Sequence, residues 1–251
     1  MLLQQTIDAL ERLRLHGMIQ ALKEQEKTPS LGDLSFEERL GLLVDREVLE
    51  QENRQMASRL KQARLRQNAA FEDMDWKTSR GLHKPMLMEL ASGRWIKEYR
   101  NLLIIGPTGV GKTFIACSLG HKACRDGFST LYQRSARMLR ELIVARAEGK
   151  HLRLLKSLAK PELLIVDDWG LEVLGKEERH DLLELFEERH GRKATIITSQ
   201  VPVENWHDLI GEATLADAIL DRVVHNAHII NLKGESMRKK MAVIAKTQVP
   251  S

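Results

Sequence analysis

The sequence predicts an α/β fold, with a parallel five-stranded sheet covered by helices and a small all-helical domain in front of it. Three observations predict this fold. From about residue 100, short apolar runs alternate with helical patterns, as is typical of a parallel sheet. A glycine-rich turn separates the first run from the first of these helices. Residues 1–70 show only the three-to-four spacing of amphipathic helices.

Length and composition are those of an ordinary globular protein. The 251 residues suffice for one α/β core and a helical appendage, and 29% of them are charged. The longest apolar runs, such as Leu102–Ile105, are far shorter than the roughly 20 residues of a membrane-spanning helix. The first residues lack the basic leader and apolar stretch of a signal peptide. We therefore expect a cytoplasmic protein with no membrane partner.

Two helical segments are predicted at the start of the chain. The first carries apolar residues at three-to-four spacing, namely Ile7, Leu10, Leu13, Met18, Ala21 and Leu22. Pro29 and Gly32 interrupt this pattern. A capping box over Ser35–Glu38 predicts the start of the second helix, whose apolar face continues through Phe36, Leu40, Leu43, Val44 and Val48.

The end of this helical domain is basic. A narrow apolar stripe of Met56, Leu60 and Ala63 is flanked by cations, namely Arg54, Arg59, Lys61, Arg64 and Arg66. Such a helix face either contacts DNA or is a solvated surface whose long side chains cover the stripe, and the sequence leaves both interpretations open.

The remaining chain divides into a linker with a short helix, residues 71–100, and an α/β domain, residues 101–251. Five strands are predicted near 102–105, 129–132, 163–166, 194–198 and 228–232. Helices are predicted between them, near 113–125, 136–147, 176–190 and 214–224.

The glycine-rich turn matches the phosphate-binding pattern Gly-x-x-x-x-Gly-Lys-Thr. A phosphate chain needs closely spaced backbone N–H groups beneath a helix N-terminus, and glycines let the backbone curl round it. Lys112 is expected to reach the β- and γ-phosphates of ATP, and the Thr113 hydroxyl to bind Mg²⁺. The predicted nucleotide-binding residues are Gly106, Pro107, Thr108, Gly109, Val110, Gly111, Lys112, Thr113 and Phe114.

An apolar strand delivers Asp167 and Asp168 at its carboxyl end, where open α/β sheets bind ligands. We expect Asp167 to hold Mg²⁺, directly or through water, and Asp168 to orient or deprotonate the attacking water. Taken alone, such a pair is as often a helix cap, but a phosphate-binding loop favours catalysis. The next strand ends with three polar candidates for sensing the γ-phosphate, namely Thr198, Ser199 and Gln200.

Two further features concern charge and sulfur. A segment rich in cations follows the second strand and includes Arg134, Arg137, Arg140, Lys150, Arg153 and Lys156. It is either a DNA-phosphate surface or a solvated basic helix. Cys117 and Cys124 are the only cysteines, and they lie seven residues apart on one predicted helix, too far apart for a disulfide. We interpret them as buried structural thiols.

Together with the phosphate-binding loop and Val-Asp-Asp, three stretches make the chain resemble an AAA+ ATPase of the IstB type, the transposition helpers of insertion sequences. These proteins are sisters of the DnaC-like helicase loaders. The stretches are Ile196-Ile-Thr-Ser-Gln-Val-Pro202, Ala218-Ile-Leu-Asp-Arg222-Val-Val-His and Leu232-Lys-Gly-Glu-Ser-Met-Arg238. The resemblance covers nearly the whole chain.

The resemblance implies further roles for residues of this chain. Arg222 corresponds to an arginine finger that reaches ATP bound by a neighbouring copy, although alone it also fits a surface arginine paired with Asp221 or Asp217. Arg238 is a weaker candidate for a second phosphate sensor. Asp168 stands where AAA+ enzymes usually have Glu. The residues after the last predicted strand are too few for the helical lid, an absence that the family shares.

The implied function is that of an ATP-hydrolysing, DNA-binding regulator of transposition. Its ATP-bound copies form a homo-oligomer on duplex DNA and stimulate a transposase encoded by the same element. The alternative is a DnaC-like loader of a replicative helicase that binds single-stranded DNA. A small-molecule kinase is disfavoured, because a kinase has no use for Arg222 acting on a second copy.

Overall fold

The computed structural model describes residues 2–28, 31 and 33–237. The chain forms two compact units, residues 1–58 and 59–251. Among the described helices, none combines the length and apolar character needed to cross a membrane.

The first unit consists of helices α1 (Leu2–Arg12) and α2 (His16–Lys27) and most of α3 (Phe36–Ala63). Arg14 has a left-handed backbone with φ 61°, which separates α1 from α2 where the sequence pattern showed no break. The predicted capping box is present, since Glu38 N–H donates to Ser35 Oγ at 3.2 Å and Ser35 N–H donates to the Glu38 carboxylate at 2.8 Å.

A buried carboxylate holds the start of α2. Glu47 of α3 is only 5% exposed and accepts hydrogen bonds from the N–H groups of Gly17 at 2.6 Å and Met18 at 3.2 Å. A side chain at Gly17 would meet the Arg46 carbonyl oxygen at 2.6 Å, so glycine is required there. On α3, much of the predicted apolar face is exposed, at Phe36, Leu40, Val44 and Val48.

The second unit is built on a sheet of five parallel strands: β1 (Asn101–Ile105), β2 (Thr130–Arg134), β3 (Leu163–Trp169), β4 (Ala194–Ser199) and β5 (Ala227–Asn231). Their order across the sheet is β2-β3-β4-β1-β5. β4 therefore lies between β1 and β3 and separates the phosphate-binding strand from the aspartate strand. All carboxyl ends lie at the same edge.

Helices cover both faces. α4 (Lys84–Ala91), α5 (Arg94–Lys97) and α6 (Lys112–Arg125) pack on the face formed by Leu102, Ile104 and their neighbours. The opposite face, formed by Leu103, Ile105 and their neighbours, is covered by α7 (Ser135–Ala147), α8 (His151–Ala159), α9 (Lys176–Arg189), α10 (Trp206–Ile210) and α11 (Ala213–Val224). Successive side chains of a strand point to opposite faces, which explains this division.

The predicted fold class is confirmed. Each predicted strand lies within two residues of an observed one at its start, although β3 continues three residues beyond Val166. The short helix α8 was not predicted as a separate element. Within the described part of the chain, β5 is followed only by residues 232–237, and no helical lid is seen there.

Candidate active site

The carboxyl edge of the sheet gathers the predicted nucleotide-binding and acidic residues around one cleft of about 620 Å³. The phosphate-binding loop follows β1, the two aspartates end β3, and Gln200 follows β4. The cleft is lined by Arg66, Gln67, Asp73, Asp75, Arg80, Thr108, Gly109, Gly111, Lys112, Thr113, Phe114, Arg134, Asp168, Leu171, Gln200 and Met237. This size and position suit a nucleotide.

Two glycines of the loop are required by their neighbours. Gly109 has φ 81° and Gly111 has φ 106°, both in the left-handed region. A Cβ at Gly109 would overlap the Ser236 side chain, and one at Gly111 would lie 2.5 Å from Arg80 Nη1. The glycines thus serve the packing around the loop as well as the approach of phosphate.

Lys112 turns back onto its own loop. Its Nζ donates to the carbonyl oxygens of Gly106 at 2.6 Å and Pro107 at 2.9 Å, and the residue is 6% exposed. Burial lowers the pKa of Lys112, while the nearby charges of Asp168 and Asp167 act in the opposite direction. A triphosphate offers this ammonium group better acceptors than two carbonyls.

Asp167 is fully buried at the base of the cleft. Its carboxylate accepts hydrogen bonds from the hydroxyls of Thr113 at 3.0 Å, Tyr132 at 2.6 Å and Thr198 at 2.5 Å, and Arg66 Nη1 lies 3.6 Å away. Burial and the neighbouring carboxylate raise the pKa of Tyr132, so its hydroxyl remains a donor. The hydroxyl and carboxylate oxygens are the ligand types that Mg²⁺ prefers.

A β-bulge re-aims the second aspartate. The register between β3 and β4 shifts between Val166 and Trp169, so that Asp167 and Asp168 together face Thr198. Asp168 has φ 62°, an uncommon backbone for a residue other than glycine. Bulges and such backbone angles occur often at active sites, because they redirect one side chain out of the sheet.

Asp168 is held by two arginines. Arg134 Nη2 donates to Asp168 Oδ2 at 3.0 Å, and Arg66 Nη1 lies 3.6 Å from the same oxygen. The Asp168 side chain is 19% exposed, against 49% for Arg134. Its backbone N–H donates to Thr198 Oγ1 at 3.0 Å, which fixes the bulge. The proposed water-activating carboxylate is therefore ion-paired in this structure.

The three polar residues at the end of β4 have different positions. Thr198 supports Asp167 from within the sheet. Ser199 is fully buried and donates to the Trp169 carbonyl oxygen at 2.9 Å, so the structure does not bring it to the cleft. Gln200 lines the cleft and accepts a hydrogen bond from Thr108 of the loop at 2.5 Å. Among the three, Gln200 alone is placed to meet phosphate.

Arg222 lies at the opposite side of the sheet from the cleft, near the amino-terminal end of β1. Its carbonyl oxygen accepts from Asn101 Nδ2 at 3.1 Å, and Asn101 begins the strand that ends at the phosphate-binding loop. A strand of five residues spans about 13 Å. The Arg222 guanidinium is paired with Glu187 and donates to the Ala218 carbonyl oxygen at 2.8 Å. Arg222 thus points away from the ATP cleft of its own chain.

The basic residues predicted to bind DNA fall into three groups. Arg66 and Arg134 line the cleft, where they pair with Asp168. Arg54 pairs with Glu47, and Arg59 donates to the Cys124 carbonyl oxygen at 2.9 Å. The rest are exposed, namely Lys61, Arg64, Arg137, Arg140, Lys150, Arg153 and Lys156. Arg238 lies outside the described residues.

The structure adds three residues to the site, of which Tyr132 and Arg80 were not predicted and Arg66 was predicted only as a DNA-binding cation. Tyr132 and Arg66 contact Asp167, and Arg80 donates to the Val110 carbonyl oxygen at 3.1 Å. None carries a local motif, because the fold brings them to the loop and to Asp167 from elements distant in sequence.

Both cysteines are fully buried, and burial raises the pKa of each thiol.

The sequence is similar to those of ATP-binding proteins from insertion sequences. An insertion sequence ATP-binding protein of Sinorhizobium fredii is 51% identical over 239 residues, covering 95% of this chain and 98% of the relative. The ATP-binding protein of insertion sequence IS21 in Pseudomonas aeruginosa is 31% identical over 245 residues, covering 96% and 92%.

Solved structures share the fold at low identity. The structure of DnaI gives a TM-score of 0.58 at 21% identity and covers 66% of this chain and 92% of that one. The DnaC helicase loader gives 0.56 at 21% identity, covering 66% and 97%. The model of the IstB-like ATP binding protein family matches residues 8–245. The chain therefore belongs to the family of IstB-like ATP binding proteins.

Proposed function

We propose that this ATPase is a transposition regulator whose ATP-bound copies assemble on duplex DNA and stimulate the transposase of the same insertion sequence. The position of Arg222 carries this proposal. Its side chain is held at the sheet edge opposite the loop that binds ATP, so an arginine contact with the γ-phosphate requires a second copy. ATP would then join neighbouring copies.

The positions of the cleft residues support the following roles in ATP hydrolysis. Amides of the loop hold the phosphates, and Lys112 moves from its two carbonyl acceptors to the β- and γ-phosphates. Thr113 and Asp167 would hold Mg²⁺, Asp167 through water because neutral donors already occupy its oxygens. Mg²⁺ neutralises charge on the phosphates when it is bound. Gln200 orients the terminal phosphate or the attacking water.

Asp168 must leave its arginine partners before it can accept a proton from water. Arg134 holds it and is also the first residue of the basic segment that continues along α7. DNA phosphates compete with a carboxylate for an arginine. DNA binding near Arg134 would therefore free Asp168 and couple assembly on DNA to hydrolysis.

The exposed cations of α7 and α8 support phosphate contacts rather than base reading. They include Arg137, Arg153 and Lys156, and none belongs to a motif that reads base edges. We expect weak sequence preference and an affinity for DNA that falls steeply as salt rises.

The test is to measure the mass of the protein in solution with duplex DNA or single-stranded DNA, each with and without ATP. We expect large assemblies only with duplex and ATP. Lys112→Ala removes the phosphate contact and should remain monomeric in every condition. Arg222→Ala should also remain monomeric, because it removes the contact with the neighbouring copy. Arg192→Ala is its matched control, since it removes an arginine that is 73% exposed, and it should assemble normally. Assembly on duplex DNA without nucleotide would refute the proposal.

A second candidate is a loader of a replicative helicase, which the structural similarity to the DnaC helicase loader favours. In that case the ATP-dependent assemblies form on single-stranded DNA, and a helicase rather than a transposase is the protein partner. The same measurement separates the two candidates.

A further inference from the structure

Arg80 is a buried arginine that forms no ion pair within 4 Å with any residue that the structure describes. It is 4% exposed, and its Nη2 donates to the Asp75 carbonyl oxygen at 3.1 Å. Its Nη1 donates to the Val110 carbonyl oxygen, while Nε is buried and has no hydrogen-bond partner in the part of the chain that the structure describes. The same Nη2 lies 3.7 Å from Met74 Sδ, and neutral acceptors of this kind offset only part of the hydration that a buried guanidinium loses.

The nearest acid in sequence is committed elsewhere. The Asp75 carboxylate accepts hydrogen bonds from the Lys77 N–H at 2.8 Å and from the Thr78 hydroxyl at 2.6 Å. These bonds form the turn that leads to Arg80. Asp75 therefore contributes its backbone carbonyl to Arg80 and uses its carboxylate for the turn.

The surroundings fix Arg80 at the wall of the nucleotide cleft. Lys233 N–H donates to the Arg80 carbonyl oxygen at 3.0 Å, and a Cβ at Gly81 would lie 2.8 Å from the Asn231 carbonyl oxygen. Its guanidinium lies against Gly111, and the residue lines the cleft. The backbone at Arg80 and Gly81 is thus anchored, and the charge can turn to solvent only by breaking the guanidinium bonds to the Val110 and Asp75 carbonyl oxygens.

Arg80 and Lys112 hold opposite ends of the phosphate-binding loop. Lys112 donates to carbonyls at its beginning, Gly106 and Pro107, whereas Arg80 donates to Val110 near its end. The residues that line the cleft include four cations, Arg66, Arg80, Lys112 and Arg134, against three acids, Asp73, Asp75 and Asp168, so the potential there is on balance positive although Asp75 attracts the charge of Arg80. A ligand with several negative charges fits that potential.

We infer that Arg80 is a nucleotide-positioning residue, whose buried charge stabilises the bound polyphosphate and whose bond to Val110 sets the curl of the loop. The ligand class is a nucleoside triphosphate in preference to less charged nucleotides. This inference concerns ATP binding alone and does not depend on assembly on DNA.

The experiment compares Arg80→Gln with Arg80→Lys, because Gln keeps hydrogen-bonding groups and Lys keeps the charge. Dissociation constants for ATP, ADP and AMP are measured by calorimetry at two salt concentrations. Arg80→Gln should weaken ATP binding about tenfold and AMP binding much less, since the effect of a charge grows with the charge of the ligand. Arg80→Lys should recover most of the loss.

Lys77→Met is the matched control, since it removes an exposed cation of the same segment and should bind all three nucleotides like the parent. Equal affinity of the Lys and Gln variants for ATP would overturn the inference, and so would equal losses for ATP and AMP. Should Arg80→Gln fail to fold, Arg80→Lys decides alone, because a folded Lys variant that has lost the preference for ATP over AMP contradicts a role for the charge.

Discussion

Replacing Arg134 with alanine should raise ATP hydrolysis in the absence of DNA. The change removes the shorter of the two ion pairs that hold Asp168, at 3.0 Å, and leaves Arg66 at 3.6 Å. An unpaired Asp168 is the form that we propose to act on water. The variant therefore mimics the state that DNA is proposed to produce.

The magnitude follows from the exposure of the pair. Exposed ion pairs contribute about 0.2–1 kcal/mol, and hydrogen bonds to charged groups about 1.5–3 kcal/mol. Arg134 is 49% exposed and Asp168 is 19% exposed, which argues for a value at the upper end of the first range, about 1 kcal/mol. That free energy corresponds to an approximately fivefold larger population of free Asp168, and hence to about a fivefold faster DNA-free rate.

The assay is steady-state ATP hydrolysis with and without duplex DNA at saturating ATP. Arg137→Ala is the control, because Arg137 is 71% exposed and pairs with Glu141 instead of Asp168. It should leave the DNA-free rate unchanged. If Arg134→Ala hydrolyses ATP no faster than the parent without DNA and is still stimulated fully by it, the proposed restraint on Asp168 is wrong.

Three further predictions concern the acid, the interface and the thiols. Asp168→Asn should bind ATP with parental affinity but lose at least tenfold in turnover, and parental turnover would remove Asp168 from its role. Arg222→Ala should bind ATP as a monomer yet lose the hydrolysis that DNA stimulates. Glu187→Gln, which releases Arg222 from its ion pair, should retain that hydrolysis. Full activity of Arg222→Ala in single-turnover assays would contradict action on a second copy. Because burial raises the pKa of the thiols of Cys117 and Cys124, alkylation at pH 8 should be slow until the protein is unfolded, and rapid labelling of the native protein would contradict their burial.

The central strands β1 and β3 were predictable because each contains a continuous apolar run, such as Leu163–Val166. The phosphate-binding loop was predictable because its chemistry is local, with all of its residues adjacent in sequence. The bulge at Asp168 was not, since it depends on the register with β4. The break between α1 and α2 was also missed, because Arg14 adopts a left-handed backbone without a glycine or proline to mark it.

The side chains that contact Asp167 and Asp168 could not be derived from the sequence. Arg66 and Arg134 were grouped with the DNA-binding cations because their neighbours are basic, yet both pair with Asp168. Tyr132 looked like an ordinary strand residue, although its hydroxyl reaches Asp167. The order of residues in the sequence does not reveal these contacts, because they join side chains that only the folded sheet brings together.

The last described residues complete the cleft, and this has a consequence for synthesis. β5 pairs with β1, and Met237 N–H donates to the Gly109 carbonyl oxygen at 2.9 Å. A nascent chain that has emerged from the ribosome only as far as residue 226 lacks both β5 and the hydrogen bond from Met237 to Gly109. Its phosphate-binding loop therefore lacks these two contacts. Stalled chains of increasing length should retain labelled ATP only once residue 237 has emerged, which would delay any joining of copies until that residue has left the ribosome.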